Sequence, residues 1–255
     1  IGDSTSGLFK LDPTTKTFTS IVPNGPAGQI TTALEATSSS IIAASNTKAG
    51  LFILENGKWL NQKQNGLDSV AGVQSIATSN YDNSIWLTTA QKGVAKWHNN
   101  KVQIFDARNS SLKGSTNFTC FTSGVAADTK GNTWISNAGT TIALHVYQPD
   151  GKWTGFTNPY ALTDAGALEI DDLGQIWCAT TNANGLLVYN PGSSLTTSAD
   201  DKWKQYKAGS GIGNLPSNLV NCIAKDKNGF IWVGTDKGIG IIPVSYTHLT
   251  LPTKA

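Results

Sequence analysis

The residues of this chain whose type and spacing could carry chemistry are three aspartates in one setting. Asp128, Asp171 and Asp226 are each followed by a glycine three residues on (Gly131, Gly174, Gly229) and a tryptophan six residues on (Trp134, Trp177, Trp232). Carboxylates can act in pairs as general acid and base, and a repeated carboxylate could bind a cation. The spacing points to another use. An aspartate ahead of a glycine makes a turn, because its side chain bonds the backbone just beyond it while the glycine takes a positive φ. Successive copies in a repeat array are rotated away from one another, so they do not converge on one substrate. The remaining candidates are sparse. His98 and His145 stand in different copies, with no His-x-x-x-His, Cys-x-x-Cys or calcium-loop spacing near them. No metal ligand set and no cofactor is implied. Gly209-Ser-Gly-Ile-Gly213 matches a phosphate loop by glycine count alone, without the strand before it and helix after it.

A fourth, weaker copy, Asn80-x-x-Asn83-x-x-Trp86, precedes these three, and the tryptophans are 48, 43 and 55 residues apart. Periods in the forties with a turn ahead of a tryptophan strand predict propeller blades. In the last copy, Val220–Lys225 reads as a first strand, Phe230–Gly234 as a second and Ile239–Ile242 as a third. Fourth strands begin at Lys58-Trp59, Lys152-Trp153 and Lys202-Trp203. The fold class is therefore all-β, a β-propeller with four complete four-stranded blades and a partial blade at each end. The complete blades start near Ile30, Val73, Ser123 and Gly166. No segment sustains a 3.6-residue period, so helix is not expected.

In this frame Trp86, Trp134, Trp177 and Trp232 are structural and pack against the neighbouring blade. Trp59, Trp153 and Trp203 lie half-exposed on outer strands. Replacing Trp232 by alanine is expected to unfold the domain, and replacing Arg108 to leave its melting unchanged. Cys120, Cys178 and Cys222 read as small buried side chains. Contact residues are sought in the long connections Asp106–Thr119, Thr157–Ala165 and Tyr206–Asn218, where Arg108, Lys113, Tyr160 and Lys207 are the binding candidates. Asn190–Asp201 is an insertion between a third and a fourth strand.

Val244–Ala255 resembles a translated transposase sequencing adapter and is set apart from the propeller at 1–243. The first residues fall inside a repeat, Ile1-Gly2-Asp3-Ser4 aligning with Val233-Gly234-Thr235-Asp236, so the chain is read as an internal piece of a longer protein. Formal net charge is +2, and the tail takes Lys254 with it. Such a balance gives no footprint for nucleic acid or an anionic membrane surface. No apolar run approaches the length of a membrane span.

The stretch Leu215-Pro216-Ser217-Asn218-x-Val220 through Asp226, Gly229, Trp232, Thr235 and Gly238 resembles the two-component regulator propeller repeat, which implies the extracytoplasmic sensor of hybrid histidine kinases of Bacteroidota. Gly151–Ala161, Thr197–Trp203 and Asn214–Asn218 resemble the propeller proteins of type IX secretion systems. That resemblance implies a non-enzymatic, periplasmic or outer-membrane-associated protein whose partner is a protein, a glycan or lipopolysaccharide. A propeller lyase would need a histidine with acidic or metal partners on one face.

Overall fold

The aspartate turns close the first hairpin of each tryptophan blade. In a computed structural model, Asp171 Oδ1 accepts the backbone N–H groups of Leu173 and Gln175, both at 2.9 Å. Its Oδ2 accepts the Gln175 side-chain amide at 2.6 Å and the indole N–H of Trp177 at 2.7 Å. Asp128 repeats this with Lys130, Asn132 and Trp134. Asp226 does so with Asn228, Phe230 and Trp232. One carboxylate thus sets a turn and satisfies an indole donor that burial would otherwise orphan.

The structure describes residues 2–3, 7–21, 25–26, 30–47, 50–114, 119–209, 211 and 213–244. The adapter reading of the tail falls almost wholly on residues outside these, as do Ile1, Ser4, Ser210 and Ile212 of the segments named above. Six antiparallel sheets follow in chain order. The first holds β1 (Gly2–Asp3), β2 (Gly7–Leu11) and β3 (Phe18–Ile21). The second holds β4 (Ala33–Ala36), β5 (Ile41–Ala44), β6 (Leu51–Glu55) and β7 (Lys58–Gln62). The third holds β8 (Val73–Thr78), β9 (Ile85–Thr89), β10 (Val94–His98) and β11 (Lys101–Phe105). The fourth holds β12 (Phe121–Ala127), β13 (Thr133–Ala138), β14 (Ile142–Tyr147) and β15 (Trp153–Thr157). The fifth holds β16 (Ala165–Ile170), β17 (Ile176–Thr180), β18 (Leu186–Asn190) and β19 (Lys202–Tyr206). The sixth holds β20 (Val220–Lys225), β21 (Ile231–Thr235) and β22 (Gly238–Ile242). Among the described residues the only helix is one 3-10 turn, Leu67–Ser69. This is the predicted β-propeller arrangement, with four four-stranded sheets between two three-stranded ones.

The innermost strands β4, β8, β12, β16 and β20 stack side by side and carry the inter-blade contacts. The last four of them bulge near their starts. Backbones approach closely there: a Cβ on Gly124 would lie 2.5 Å from the Gly166 carbonyl oxygen of the next blade. Farther out, the third, fourth and fifth blades each present an aromatic set to their successors. Trp86 stacks on Phe105 of its own fourth strand and meets Tyr147 of the following blade at 5.1 Å. Trp134 pairs in the same way with Phe156 and with Tyr189 of the next blade. Trp177 packs on Tyr206 and clusters with Ile242, which takes the tyrosine position in the sixth sheet. Such contacts add to the area term of aromatic burial.

Two features depart from the sequence reading. Trp86, Trp134 and Trp177 are each 1% exposed, but Trp232 is 39% exposed. Cys120 and Cys178 are buried and Cys222 is exposed. Both exposed residues lie on the sixth sheet, which among the described residues has a neighbour on one side only. The weak copy also works differently. Asn83 takes the left-handed turn position, with φ 56°. The Trp86 indole donates to Ser84 Oγ at 2.9 Å, and that hydroxyl donates to Asp82 at 2.6 Å. Burial alone would raise the Asp82 pKa, but bonds from Lys96 and Ser84 outweigh it and hold the carboxyl at about 2. Asp82 also pairs with Lys96 at 2.7 Å, whose ammonium lies over Trp86 and Tyr147.

These placements order the cost of mutation. Trp177→Ala should cost about 3–5 kcal/mol, in the usual range for a buried aromatic, and Trp232→Ala clearly less. Asp171→Ala strands a buried indole donor and three amide donors and should cost about 3 kcal/mol or more. Urea midpoints of the three variants at neutral pH measure this; equal losses for Trp177→Ala and Trp232→Ala would contradict the packing.

Candidate functional site

Antiparallel sheets put first-to-second and third-to-fourth turns at one end of the ring. The second-to-third turns and the connections between blades fall at the other end, where all four sequence candidates lie.

Arg108 follows β11. Its guanidinium forms a two-pronged bond to Asp106, with Nε at 3.1 and 3.0 Å from the two carboxylate oxygens. Asp106 is 6% exposed and also accepts the Arg108 backbone N–H at 2.8 Å. The arginine bonds, with burial opposing them, hold the Asp106 carboxyl below the ordinary carboxylate range. Arg108 is thus a clamp on its own turn, and its guanidinium is committed to a residue two positions away. Tyr160 donates its hydroxyl to the Trp203 carbonyl at 3.3 Å, on the outer strand of the next sheet. Lys207 contributes its carbonyl to Leu215 N–H at 3.2 Å, closing the third connection. Lys113 borders a cavity. It lines a space of about 370 Å³ with Thr119, Phe121, Gly139, Thr141 and Ile142. Residues 115–118 of the same connection are outside the described ones. The structure gathers the four candidates on one end of the ring but does not bring them into one cluster.

The residues that shape this end were not singled out from sequence. Asn137 is fully buried, accepts the Lys113 N–H at 2.7 Å and donates to the Phe121 and Ala138 carbonyls. Asn158 bonds the Thr141 and Leu162 carbonyls and the Leu162 N–H. Asn218 accepts the Ala208 N–H. Asp164, 4% exposed, accepts from Asn182 N–H and the Asn184 amide. Asn158 and Asn218 lay within flagged stretches, Gly151–Ala161 and Asn214–Asn218, and Asp164 within a flagged connection, but none was named as a candidate. They are single polar residues whose meaning depends on which loop folds over them.

His145 is fully buried on β14. Its Nδ1 pairs with the Ser111 hydroxyl at 2.8 Å and its Nε2 with the Ile142 carbonyl at 3.0 Å. A neutral ring that donates from Nε2 and accepts at Nδ1 satisfies both. Gly155 makes the room, since a Cβ there would lie 3.0 Å from Nδ1. Burial is the main cause that lowers the His145 pKa to about 4, with Lys113 adding to it and the Ile142 bond opposing. His98 bonds Asn99 at 2.9 Å. Among the described residues no group of three or more His, Cys, Asp or Glu side chains could hold a metal ion. No described helix is long and apolar enough to cross a membrane.

The opposite end carries a larger cavity, about 570 Å³, between the fourth and fifth blades. Asp128, Lys130, Gln148, Asp172, Ser193 and Thr196 are among its walls. Ser193 and Thr196 come from the Asn190–Asp201 insertion. That insertion is folded on itself by the Ser193 N–H to Asp200 bond at 2.8 Å. Leu195 anchors it on the cluster of Trp134, Tyr189 and Trp203.

Residues 214–237 match the family model described as two component regulator propeller. Among solved structures, the chain is similar to PorZ, an essential bacterial surface component of the type-IX secretion system of Porphyromonas gingivalis. Identity is 20% and the TM-score 0.77, over 92% of this chain and 35% of that one. It is also similar to the extracellular domain of the putative hybrid two component system BT4673 from B. thetaiotaomicron, at 22% identity and TM-score 0.63, over 83% of this chain and 27% of that one. Virginiamycin B lyase from Staphylococcus aureus aligns at 14% identity and TM-score 0.60, over 91% of this chain and 71% of that one. No curated protein matches the sequence. The chain thus spans about a third of the first two similar structures, and these likenesses establish the propeller fold.

The buried histidine gives a pH prediction. His145 is neutral when folded and has an ordinary pKa near 6.5 when unfolded, so the unfolded chain binds the extra proton between those values. Its contribution is whole above about pH 6.5 and is lost as pH falls towards 4, about 3 kcal/mol in all. Denaturant midpoints of the parent and His145→Gln at pH 7, 5 and 4 should converge on acidification. A constant gap between them would contradict the neutral, buried imidazole.

Proposed function

We propose that this chain is a non-catalytic, extracytoplasmic binding and scaffold propeller of a type IX secretion or outer-surface apparatus. In this reading its partner is a protein or a glycan, including lipopolysaccharide, held at the inter-blade loop end around Lys113. The observation that carries the reading is the likeness over 92% of the chain to PorZ, a surface component. The side-chain chemistry agrees with a binding role. His145 is enclosed and fully bonded, His98 pairs with an amide, and the repeated aspartates are committed to turns and indoles. The cavity at Lys113 offers one cation, threonine hydroxyls and an exposed Phe121, a mixture suited to a polar ligand with an apolar edge.

A second reading is the ligand-sensing part of a hybrid two-component system. It is favoured by the regulator-propeller match at residues 214–237. Both readings place the chain outside the cytoplasm and need no cofactor.

Surface plasmon resonance over immobilised lipopolysaccharide, with neutral oligosaccharides as a second surface, separates them. The secretion reading expects lipopolysaccharide binding that weakens about tenfold or more in Lys113→Glu, since a like charge then faces the anionic groups. Binding of neutral oligosaccharides alone would favour the sensor. Turnover of a lactone or streptogramin by the purified chain would refute both.

A further inference from the structure

The first turns of the tryptophan blades cover one another around the ring: the second residue of one turn lies on the fourth residue of the next. Tyr81, second in the turn Asn80 to Asn83, lays its ring on Gly131 of the fourth blade, where a Cβ would lie 2.6 Å from Tyr81 Cγ. Asp172, second in the turn Asp171 to Gly174, covers Gly229 of the sixth sheet, where a Cβ would lie 2.8 Å from its Oδ2. Lys225 holds that carboxylate at 2.8 Å. Gly131 and Gly229 are accordingly buried. Between the fourth and fifth blades the cover is missing. The second residue there is Thr129, a Cβ on Gly174 would meet no atom within 4 Å, and Gly174 is exposed.

This gap opens into the cavity of about 570 Å³, which Thr129 and Gly174 both line. The cavity lies between two complete blades in the middle of the chain, and the turns on both sides of it are in place. One wall has no counterpart in the other complete sheets. Residues 191–201 separate β18 from β19, whereas 56–57, 99–100 and 148–152 join the corresponding strands elsewhere. The wall presents the hydroxyls of Ser194 and Thr196, which bond each other at 2.9 Å and keep capacity to accept from a further donor. Lys130 stands exposed on the rim, and among the described residues its ammonium makes no ion pair. Lysines elsewhere in this fold lie over electron-rich rings: Lys96 over Trp86 and Tyr147, and Lys204 over Tyr206 at 4.5 Å. Asp128, Asp171 and Asp172 also line the cavity, against Lys130 and Lys225. Negative charge is therefore in excess, which disfavours an anionic ligand.

We propose that this crevice is a binding site for a small uncharged phenol. Its ring lies on Gly174 as Tyr81 lies on Gly131, its hydroxyl donates to the Ser194 and Thr196 wall, and the Lys130 ammonium approaches its free face. The site is at the opposite end of the ring from Lys113 and does not depend on the ligand held there.

The probe is N-acetyltyrosinamide, titrated into the full chain and followed by saturation-transfer difference NMR, with N-acetylleucinamide and 4-hydroxybenzoate as controls. The phenol amide should saturate in the millimolar range, and the aliphatic amide and the anion should bind about tenfold more weakly or not at all. Thr129→Tyr supplies the missing cover from within. It should weaken the probe about tenfold or more while the urea midpoint stays equal or rises. Lys130→Ala, at an exposed position, should weaken it about threefold, and Lys113→Glu should leave it unchanged. No saturation up to about 50 mM probe, equal binding of the leucine amide, or full affinity in a folded Thr129→Tyr would overturn the site. Unchanged affinity in Lys130→Ala, or loss of binding in Lys113→Glu, would overturn it independently of how Thr129→Tyr folds.

Discussion

The structure depends on one interaction: the indole N–H of each second-strand tryptophan buried between two sheets is held by an acceptor from the turn before it. In the fourth and fifth blades the acceptor is the Oδ2 of an aspartate six residues upstream, whose Oδ1 meanwhile fixes the hairpin turn. The six-residue spacing follows from geometry. The aspartate opens the turn, the strand begins five residues later at Thr133 or Ile176, and the tryptophan is its second residue. Because the same bond orients the ring, the turn also decides which face of the blade meets its neighbour. Local hydrogen bonding and long-range packing are set by one side chain. The third blade shows that the requirement is for an acceptor rather than for aspartate, since Ser84 backed by Asp82 serves Trp86.

With that end of each blade fixed, the other end can vary in length. It is tied down by a different device. The glycine ahead of each complete blade's third strand donates its N–H to the connection arriving from or leaving for a neighbour: Gly50 to Val70, Gly93 to Cys120, Gly139 to Thr163, Gly185 to Asn218. Between these anchors the loops satisfy their own polar groups with Asp106, Asn109, Asn158 and Asp164. Loops closed in this way make a rigid frame with few uncommitted donors, and rigidity lowers the entropy that binding must overcome.

The sequence carried what is local. The aspartate turns, the tryptophan strands, the glycine-led third strands and the Lys-Trp fourth strands are all encoded within about ten residues, so their order and spacing could be read directly. What depends on neighbours could not. Trp232 has the same local motif as Trp177, yet its exposure differs because of what lies on its far side. Cys222 is apolar in its sequence setting and open in space for the same reason. Arg108 looked like a loop cation available to a ligand, but the buried Asp106 two residues earlier occupies it. Ser111 and His145 are 34 residues apart, and nothing in either segment announces the bond between them. The four loop candidates all lie in connections between blades, but a shared end of a ring is not a shared site.

Charge also bears on how such a frame recognises anything. With a formal net charge of +2 and 14% charged residues, the surface has little long-range field to steer a partner. Several charges that exist are spent at short range: Lys96 on Asp82, Lys225 on Asp172, Arg108 on Asp106. Recognition must then come from contact chemistry, hydrogen bonds and shape, at places where the repeat leaves groups unspent. The cavity beside Lys113 meets that description, because loops of irregular length part from the repeat there. A regular array spends its polar groups on itself, and groups are left over where its regularity stops.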